Sequence, residues 1–174
     1  FKSSFISIKL VTMMMKYISQ GKQVNIIAIR ENQQYLRDSV YNQILWAMSI
    51  LGVESEFRTR VSPMIIQHIR TGSTFYFYGA NDPMKLKSNI VGNVVAVWFE
   101  EFANLKNVDV FDQSVPTFIR QKPNFTDQVK IYISYNPPRN PYAWVNEWVT
   151  QRETDPDYFV DSSTYLDDEL GFTT

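Results

Sequence analysis

Six consecutive residues, 94–99 (VVAVWF), are apolar at every position, and two glutamates follow them directly. A strand that faces solvent on one side alternates apolar with polar residues, whereas a strand covered on both faces is apolar throughout. Helices packed on both faces of a parallel sheet provide that cover. The run therefore predicts the central strand of a largely parallel sheet in an α/β domain.

The rest of the chain alternates between patterns typical of helices and of strands. Apolar residues recur with a helical period in four segments, residues 2–20, 33–51, 108–119 and 142–152, and Pro116 is expected to interrupt or bend the third. Short β-branched and aromatic runs predict further strands at residues 23–29, 57–60, 64–69, 74–78, 129–133 and 158–160. Strands that alternate with helices favour an α/β fold with a central sheet.

Composition excludes several classes of site. The 174 residues include no cysteine and a single histidine, His68, which rules out disulfide frameworks, cysteine-based zinc sites and thiol nucleophiles. A chain of 174 residues is typically one domain with a sizeable core. No apolar run approaches the roughly 20 residues needed to cross a bilayer, so the sequence predicts no membrane-spanning helix.

Charge is distributed unevenly along the chain, although the net charge is only −1. Residues 1–90 carry 11 Lys and Arg against 5 Asp and Glu, whereas residues 91–174 carry 6 against 13. A chain of this kind can present a basic face to a polyanion while it stays neutral overall. Chance clustering of surface charges explains the same counts equally well, so both interpretations stay open.

Lys2, Ser3 and Ser4 stand at the start of the first predicted helix. In a phosphate-binding loop, backbone N–H groups and a helix N-terminus hold the phosphates, a lysine reaches the β- and γ-phosphates, and the next hydroxyl binds Mg²⁺. The glycines of such a loop would lie upstream of Phe1. Taken alone, the three residues fit an exposed lysine and a helix-capping serine better.

Glu100 and Glu101 follow the buried strand, at the end of the sheet where open α/β folds bind ligands. One carboxylate there can hold Mg²⁺ through its water shell, and the next can polarise an attacking water. Residues 134–138 (SYNPP) end another predicted strand with small polar side chains, which can sense a γ-phosphate. Solvated turns explain either motif by itself, since paired acids and Asn-Pro-Pro both occur in turns.

These three motifs stand in the order and spacing of one family, and the chain resembles the ATPase domain of phage large terminase subunits. The first motif, at residues 2–4, is similar to the end of the Walker A loop. The second, at residues 97–101 (VWFEE), is similar to the Walker B strand, and the third, at residues 134–138, is similar to the coupling motif. Three further stretches resemble the family, namely residues 30–32 (REN) with 36–40 (LRDSV), residues 77–83 (FYGANDP) with 85–88 (KLKS), and residues 162–166 (SSTYL). The glycine half of the Walker A loop is absent, and Glu100 stands where many P-loop enzymes have Asp.

The resemblance implies an α/β, P-loop NTPase-like three-layer domain with a central, mostly parallel sheet. Residues 1–160 would form the ATPase domain, which lacks the start of its Walker A loop. Residues 161–174 would be an acidic tail that leads to a nuclease domain outside the chain, so DNA cleavage is not expected here. The implied cofactors are ATP and Mg²⁺.

The resemblance also implies which residues form the site. ATP would be bound by Lys2, Ser3, Ser4, Ser134 and Asn136, and Mg²⁺ by Ser3 and Glu100. Glu101 would orient the attacking water. Arg30 ends the strand predicted at residues 23–29 and is therefore our candidate for the arginine that stabilises the γ-phosphate in the transition state. A surface ion pair of Arg30 with Glu31 or Asp38 is the alternative.

The implied function is ATP hydrolysis that drives translocation of viral double-stranded DNA into the procapsid. The implied partners are DNA, the portal protein, the small terminase subunit and further copies of the chain in a homo-oligomeric ring, in the host cell cytoplasm and without a membrane. Another P-loop DNA motor, such as a helicase, is the alternative within the enzyme class. A nucleic-acid-binding assembly module that keeps the fold without hydrolysis is the alternative outside it.

Overall fold

One six-stranded sheet forms the centre of the chain in its computed structural model. The strands are β1 Asn25–Arg30, β2 Phe57–Val61, β3 Met64–His68, β4 Thr74–Gly79, β5 Val94–Phe99 and β6 Lys130–Ile133, in the spatial order β2-β3-β4-β1-β5-β6. The helices are α1 Lys2–Ser19, α2 Asn42–Ile50, α3 Asp109–Arg120 and α4 Trp144–Thr150. The structure describes residues 2–81, 91–106, 108–140 and 142–160, and no helix within these ranges is long and apolar enough to cross a membrane.

Four strands, β4, β1, β5 and β6, run parallel to one another, and β2 and β3 extend the sheet in antiparallel pairing. β5 lies between β1 and β6 and is buried at all of its positions. Cover on both faces therefore explains the uninterrupted apolar run, as predicted. The predicted strands of this sheet differ from the observed ones only by one or two residues at their ends.

Successive side chains of the sheet face two separate layers of helices. On one face, Trp98 belongs to a core cluster with residues of α1 and α2, among them Leu10 and Ile44. On the other face, the ring of Phe99 packs against Phe111 of α3, with 5.1 Å between the ring centroids. The chain therefore forms an α/β three-layer fold with a mostly parallel central sheet, which confirms the predicted fold class.

The segment predicted as one helix over residues 33–51 is not a continuous α-helix. A 3₁₀ turn at Gln33–Tyr35 and a π-helical turn at Arg37–Tyr41 precede α2. Across the π turn, the amide of Tyr41 donates to the carbonyl of Leu36 at 3.0 Å, and both side chains are buried. Residues five apart share one face of a π turn but not of an α-helix. Burial of both side chains therefore favours a local geometry that a regular helical period does not predict.

Pro116 does not interrupt α3, which runs from Asp109 to Arg120. The proline lies on the exposed side of the helix, whereas Phe111 and Phe118 are buried. Packing of the buried side stabilises the helix, although the proline removes one backbone donor from its hydrogen-bond ladder.

The chain divides into two compact units, Phe1–Asn136 and Pro137–Thr174. The first contains the whole sheet with α1, α2 and α3, and the second contains α4. The expected division into an ATPase domain of residues 1–160 and an acidic tail of residues 161–174 stays a prediction. That tail, with the family-like stretch inside it, and residues 82–88 lie outside the described part of the chain.

Residues 158–160 form no strand, so that prediction is wrong. The amide of Tyr158 donates to the carbonyl of Asp155 in a turn, at 3.0 Å, and therefore cannot pair with a neighbouring strand. The Tyr158 ring packs edge-on against Trp148 of α4, with 5.9 Å between the centroids. α4 itself covers only the middle of the helix predicted over residues 142–152.

Gly79 ends β4 at a point where the structure leaves no room for a side chain. A Cβ added there would stand 2.7 Å from the backbone nitrogen of Gln33 and would overlap the side chain of Asn81. We expect Gly79→Ala to lower the free energy of unfolding by about 1–3 kcal/mol, because the backbone must shift to accept the methyl group. Urea unfolding followed by tryptophan fluorescence measures the change.

Gly92→Ala is the matched control for this substitution. Among the residues that the structure describes, no atom lies within 4 Å of a Cβ added at Gly92, and its φ lies outside the left-handed region. Alanine there is expected to change the free energy of unfolding by no more than about 0.5 kcal/mol, or to raise it slightly. Equal stability of Gly79→Ala and the wild type would contradict the close packing at the end of β4.

Candidate functional site

The carboxyl ends of β1, β5 and β6 meet the N-terminus of α1 at one edge of the sheet. The three strands are adjacent and parallel, so the residues that follow them lie side by side. α1 has no acidic residue in its first turn, so no carboxylate of its own neutralises the positive end of the helix dipole. Hydrogen bonds from Lys2 and Ser3 join α1 to residues beyond β6 and β5. This edge is suited to bind an anion.

Ser3 and Glu100 form the contact that joins α1 to β5. The Ser3 hydroxyl donates to Oε1 of Glu100 at 3.2 Å, and the Glu100 side chain is only 11% exposed. Its other oxygen, Oε2, is buried and has no hydrogen-bond partner in the described part of the chain, and Nε of Arg30 lies 3.8 Å from it. A hydroxyl and a carboxylate therefore stand together, and a guanidinium lies close to the second carboxylate oxygen.

Burial raises the pKa of Glu100 above that of an ordinary glutamate, and the neighbouring charge of Glu101 raises it as well. The positive charge of Arg30 and the hydrogen bond from Ser3 lower the pKa of Glu100, but the net direction is upward. These partners therefore do not fully offset the cost of burying the carboxylate charge. A divalent cation beside Glu100 would supply further positive charge.

Lys2 connects α1 to the end of β6. Its Nζ donates to the carbonyl of Tyr135 at 3.0 Å and to Oδ1 of Asn136 at 3.4 Å. The stretch that the resemblance assigns to γ-phosphate sensing therefore contacts the lysine that the resemblance assigns to phosphate binding. An anion that draws Lys2 away would break both hydrogen bonds.

Arg30 ends β1 and faces Glu100. Its Nε lies 3.8 Å from Oε2 of Glu100, and a terminal nitrogen donates to the carbonyl of Tyr35 at 3.4 Å. The guanidinium also lies over the Tyr35 ring, 5.7 Å from the centroid. Within the described residues, Arg30 forms its ion pair with Glu100, not with Glu31 or Asp38 as in the alternative prediction. The catalytic role of Arg30 stays a prediction.

Glu101 adopts a backbone conformation that is uncommon for residues other than glycine. Its φ is 54° and its ψ is 45°, in the left-handed region, which typically costs about 1–3 kcal/mol. Asn104 donates its backbone N–H to the Glu101 carbonyl at 2.8 Å and its side-chain amide to Oε2 of Glu101 at 3.3 Å. Strain of this kind is concentrated at functional sites, where surrounding contacts hold a side chain in place.

Ser4 and Ser134 lie at the same edge of the sheet, but other side chains bind their hydroxyls. The Ser4 hydroxyl accepts from Nε2 of Gln43 in α2 at 3.2 Å. The buried Ser134 hydroxyl accepts from the indole N–H of Trp98 at 3.0 Å. These hydrogen bonds give both serines a structural role, and their contact with ATP stays a prediction.

Three contributors to the site, Tyr35, Ser39 and Asn104, were not predicted from the sequence. Ser39 lies in the π turn, and its hydroxyl donates to the carbonyl of Tyr35 at 2.7 Å. Tyr35 contacts Arg30, and Asn104 donates hydrogen bonds to Glu101. No regular spacing indicates these residues, because packing sets the π turn and the left-handed turn. The sequence signal that could have indicated Ser39 is its position in residues 36–40, a stretch that resembles the family.

The residues of the site fit a magnesium ion. Mg²⁺ is commonly held by one or two carboxylates together with water and substrate phosphates, and Ser3 and Glu100 offer oxygen ligands of this type. The buried Oε2 of Glu100 is the observation that supports a cation there. Within the described ranges, no group of three or more His, Cys, Asp or Glu side chains is placed to hold a metal ion, so the ion would need water and phosphate oxygens as further ligands.

Comparison with known proteins identifies relatives along nearly the whole chain. A family model described as phage terminase large subunit matches residues 1–172. The terminase large subunit of Bacillus phage SPP1 is 29% identical over an alignment of 170 residues, and the match covers 95% of this chain and 38% of that protein. The chain therefore spans about two fifths of the length of this curated relative.

Solved structures of large terminases share the fold. The large terminase of a thermophilic bacteriophage matches 87% of this chain and 34% of its own, with a TM-score of 0.63 and 17% identity. The same terminase in complex with ADP matches 84% of this chain and 33% of its own, with a TM-score of 0.57 and 17% identity. A large terminase ATPase domain variant from Thermus phage P74-26 matches 80% of this chain and 57% of its own, with a TM-score of 0.55 and 13% identity. At these identities the likeness concerns the fold alone.

Removal of the Ser134 hydroxyl should leave the indole N–H of Trp98 buried without its partner. We expect Ser134→Ala to lower the free energy of unfolding by about 1–3 kcal/mol. Asn136→Ala is the matched control, because Asn136 is exposed and its loss should change stability by no more than about 0.5 kcal/mol. Urea unfolding of the two variants measures the difference. Unchanged stability of Ser134→Ala, together with weaker ATP binding, would contradict the structural role.

Proposed function

The chain belongs to the family of phage terminase large subunits, and on that premise we propose that it is an ATP-hydrolysing motor domain that drives viral double-stranded DNA into the procapsid. The contact between Ser3 and Glu100, which joins the N-terminus of α1 to the tip of β5, carries the proposal. P-loop NTPases bind Mg²⁺ with a hydroxyl and a carboxylate at these two positions. The ADP complex of a terminase with the same fold supports nucleotide binding.

The phosphates of ATP would be bound by Lys2 and by the backbone N–H groups at the start of α1. The helix dipole attracts an anion to this end, and the ammonium group of Lys2 adds a full positive charge. Lys2 is bonded to Tyr135 and Asn136, so the γ-phosphate would compete with these two acceptors. Binding and loss of the phosphate would then change the contacts at the end of β6, which is a physical route from hydrolysis to movement.

Ser3 and Glu100 would hold the magnesium ion. Bound Mg²⁺ neutralises the charge that develops on the β- and γ-phosphates. β5 presents Glu100 at the edge of the sheet, and the contacts with Ser3 and Arg30 orient its carboxylate before nucleotide binds. A preoriented carboxylate needs little reorganisation during the reaction.

Glu101 would orient the water that attacks the γ-phosphate and accept its proton. It lies one residue beyond Glu100, and the hydrogen bonds from Asn104 hold its backbone and its carboxylate. A base positioned in this way contributes about 10²–10⁴-fold to the rate. The left-handed turn at Glu101 would serve to position this carboxylate.

Arg30 would stabilise the negative charge that spreads over the γ-phosphate in the transition state. Its guanidinium lies beside Glu100 and is held by the carbonyl and the ring of Tyr35. A guanidinium at a phosphoryl-transfer site is worth about 10³–10⁵-fold in rate. Because Arg30 contacts Glu100 of its own chain, we propose that it acts within its own subunit.

Family membership also supports the proposed setting of this activity. The proposed protein partners are the portal protein, the small terminase subunit and further copies of the chain in a ring. The proposed location is the host cell cytoplasm. These proposals rest on membership of the family, whereas the geometry of the site supports the proposed binding and hydrolysis of ATP.

Glu101→Gln tests the assigned reaction. The amide keeps the size of the side chain but cannot accept a proton, so we expect ATP binding to be retained while turnover falls by about 10²–10⁴-fold. Steady-state ATPase assays and titration calorimetry with Mg-ATP, both on the full-length protein, measure the two quantities.

Glu54→Gln is the matched control, since Glu54 is exposed in the turn before β2, at the opposite side of the sheet from β5 and β6. Its turnover should equal that of the wild type. Wild-type turnover in Glu101→Gln would contradict the role proposed for Glu101 in orienting the attacking water. A wild-type protein that binds ATP without hydrolysing it would favour the non-hydrolysing assembly module instead.

Arg30→Ala is expected to lower kcat by about 10³-fold or more while the Kd of ATP changes far less, because the charge that Arg30 stabilises develops in the transition state. Arg30→Lys keeps the charge but loses the planar guanidinium, so we expect it to recover only part of the activity. ATPase assays and calorimetry measure kcat and Kd. Unchanged turnover of Arg30→Ala would exclude this role.

A mixture of Arg30→Ala with Glu101→Gln distinguishes action within a subunit from action between subunits. If Arg30 acts within its own chain, each variant lacks one catalytic group in every site, and the mixture stays inactive. Recovered ATPase activity in the mixture would place Arg30 in the site of a neighbouring subunit and contradict the proposed geometry.

A further inference from the structure

Gln43 of α2 connects two serines in the first two turns of α1. Its side-chain nitrogen, Nε2, donates to the hydroxyl oxygen of Ser4 at 3.2 Å and to that of Ser7 at 3.4 Å. Gln43 is the second residue of α2 and is half-buried, and its neighbour Ile44 belongs to the core cluster that joins α2 to α1. Packing of the two helices therefore brings the Gln43 amide to the start of α1, where the proposed function places the phosphates of ATP.

The hydroxyl of Ser7 determines which end of the Gln43 amide faces the two serines. Ser7 is fully buried, and its hydroxyl donates to the carbonyl of Ser4 at 2.8 Å. A hydroxyl has a single proton, so the oxygen of Ser7 can only accept from Gln43. The NH₂ group of the amide, and not its oxygen, therefore faces the serines.

The same NH₂ group restricts the direction of the Ser4 hydroxyl proton. An amide nitrogen donates but does not accept, so the Ser4 hydroxyl cannot donate to Gln43. Within the part of the chain that the structure describes, it donates to no other group either. Ser4 is half-buried in the first turn of α1. One oriented hydroxyl proton is therefore available to an anion at this end of the helix.

Attachment of α2 to α1 is the simpler explanation of these hydrogen bonds. For attachment alone, either end of the amide would serve, because its oxygen can accept from serine hydroxyls just as its nitrogen can donate to them. The observed orientation, which the buried Ser7 enforces, leaves the Ser4 proton without an acceptor among the described residues. An unmatched proton adds nothing to the attachment of two helices, so a ligand explains the orientation better.

We propose that Gln43 is a positioning residue for nucleotide binding, which directs the hydroxyl proton of Ser4 to a phosphate oxygen of ATP. This inference rests on the proposed function, which supplies ATP as the ligand. A hydroxyl that is oriented before the nucleotide arrives loses little freedom when it binds. In this role Gln43 acts through Ser4, not by contact with the nucleotide.

Gln43→Met and Gln43→Glu test this role in the full-length protein. Met has a similar length but no donor, so we expect the Kd of Mg²⁺ with ATP-γ-S, measured by titration calorimetry, to rise by about 3–10-fold. Glu accepts the Ser4 proton and draws it away from the phosphate, so we expect a rise of about 10-fold or more. In ATPase assays, kcat should change by less than about 3-fold, because the hydrogen bond is made in the ground state as well.

Asn42→Asp is the matched control for charge. Asn42 is exposed and directly precedes Gln43, so this variant adds the same negative charge but keeps the donor to Ser4. We expect its Kd to stay within about 2-fold of that of the wild type, because solvent screens an exposed charge. Urea unfolding of all the variants shows whether each one keeps the fold.

A double-mutant cycle with Ser4→Ala shows whether Gln43 acts through Ser4. Once the hydroxyl is absent, Gln43→Met has no proton left to misdirect, so it should change the Kd of Ser4→Ala by less than about 2-fold. Equal weakening by Gln43→Met with and without the Ser4 hydroxyl would show that Gln43 only attaches the helices. Equal weakening by Asn42→Asp and Gln43→Glu would show that charge alone weakens binding. Either result would overturn the proposal.

Failure of the proposed function gives a different result from failure of this inference. A wild-type protein that binds no ATP-γ-S would contradict the proposed function and this inference with it. Binding in the wild type with the same Kd in both Gln43 variants would overturn the positioning role alone.

Discussion

A carboxylate at the tip of a fully buried strand is the constraint on which the rest of the site depends. β5 is covered on both faces, so Glu100 directly follows a fully buried strand. Burial raises the pKa of Glu100, and the negative charge of Glu100 therefore needs partners. Ser3 from α1 and Arg30 from β1 are those partners. One buried charge therefore holds three elements together at a single point.

The core behind this point supports the site through a second polar contact. Trp98 lies two residues before Glu100, and its indole N–H donates to the Ser134 hydroxyl at the end of β6. The carbonyl of Ser134 also accepts from the amide of Phe102, at 3.0 Å. The end of β6, which Lys2 contacts, is thus attached to β5 on both sides of the carboxylates. Core packing and the proposed binding of phosphate depend on the same few residues.

Much of this arrangement follows from local pattern. Six apolar residues in a row, 94–99, are stable in water only when both faces are covered, so the central strand and the α/β class could be predicted. Glu100 and Glu101 follow that strand directly, so their place at the carboxyl edge could be predicted too. The excess of positive charge in residues 1–90 was also apparent, but not which elements would expose it.

By itself, then, the sequence determined the sheet, its central strand and the acids at its tip, because hydrophobicity and period are properties of neighbouring residues. Tertiary structure alone decided the π turn at Arg37–Tyr41 and the left-handed turn at Glu101, since contacts with other parts of the fold favour these conformations over regular ones. It also decided the partner of Arg30. Local spacing favours an acid nearby in the chain, but the observed partner, Glu100, is on another strand. Strands that are distant in sequence become neighbours only when the sheet forms, and no local pattern records that pairing.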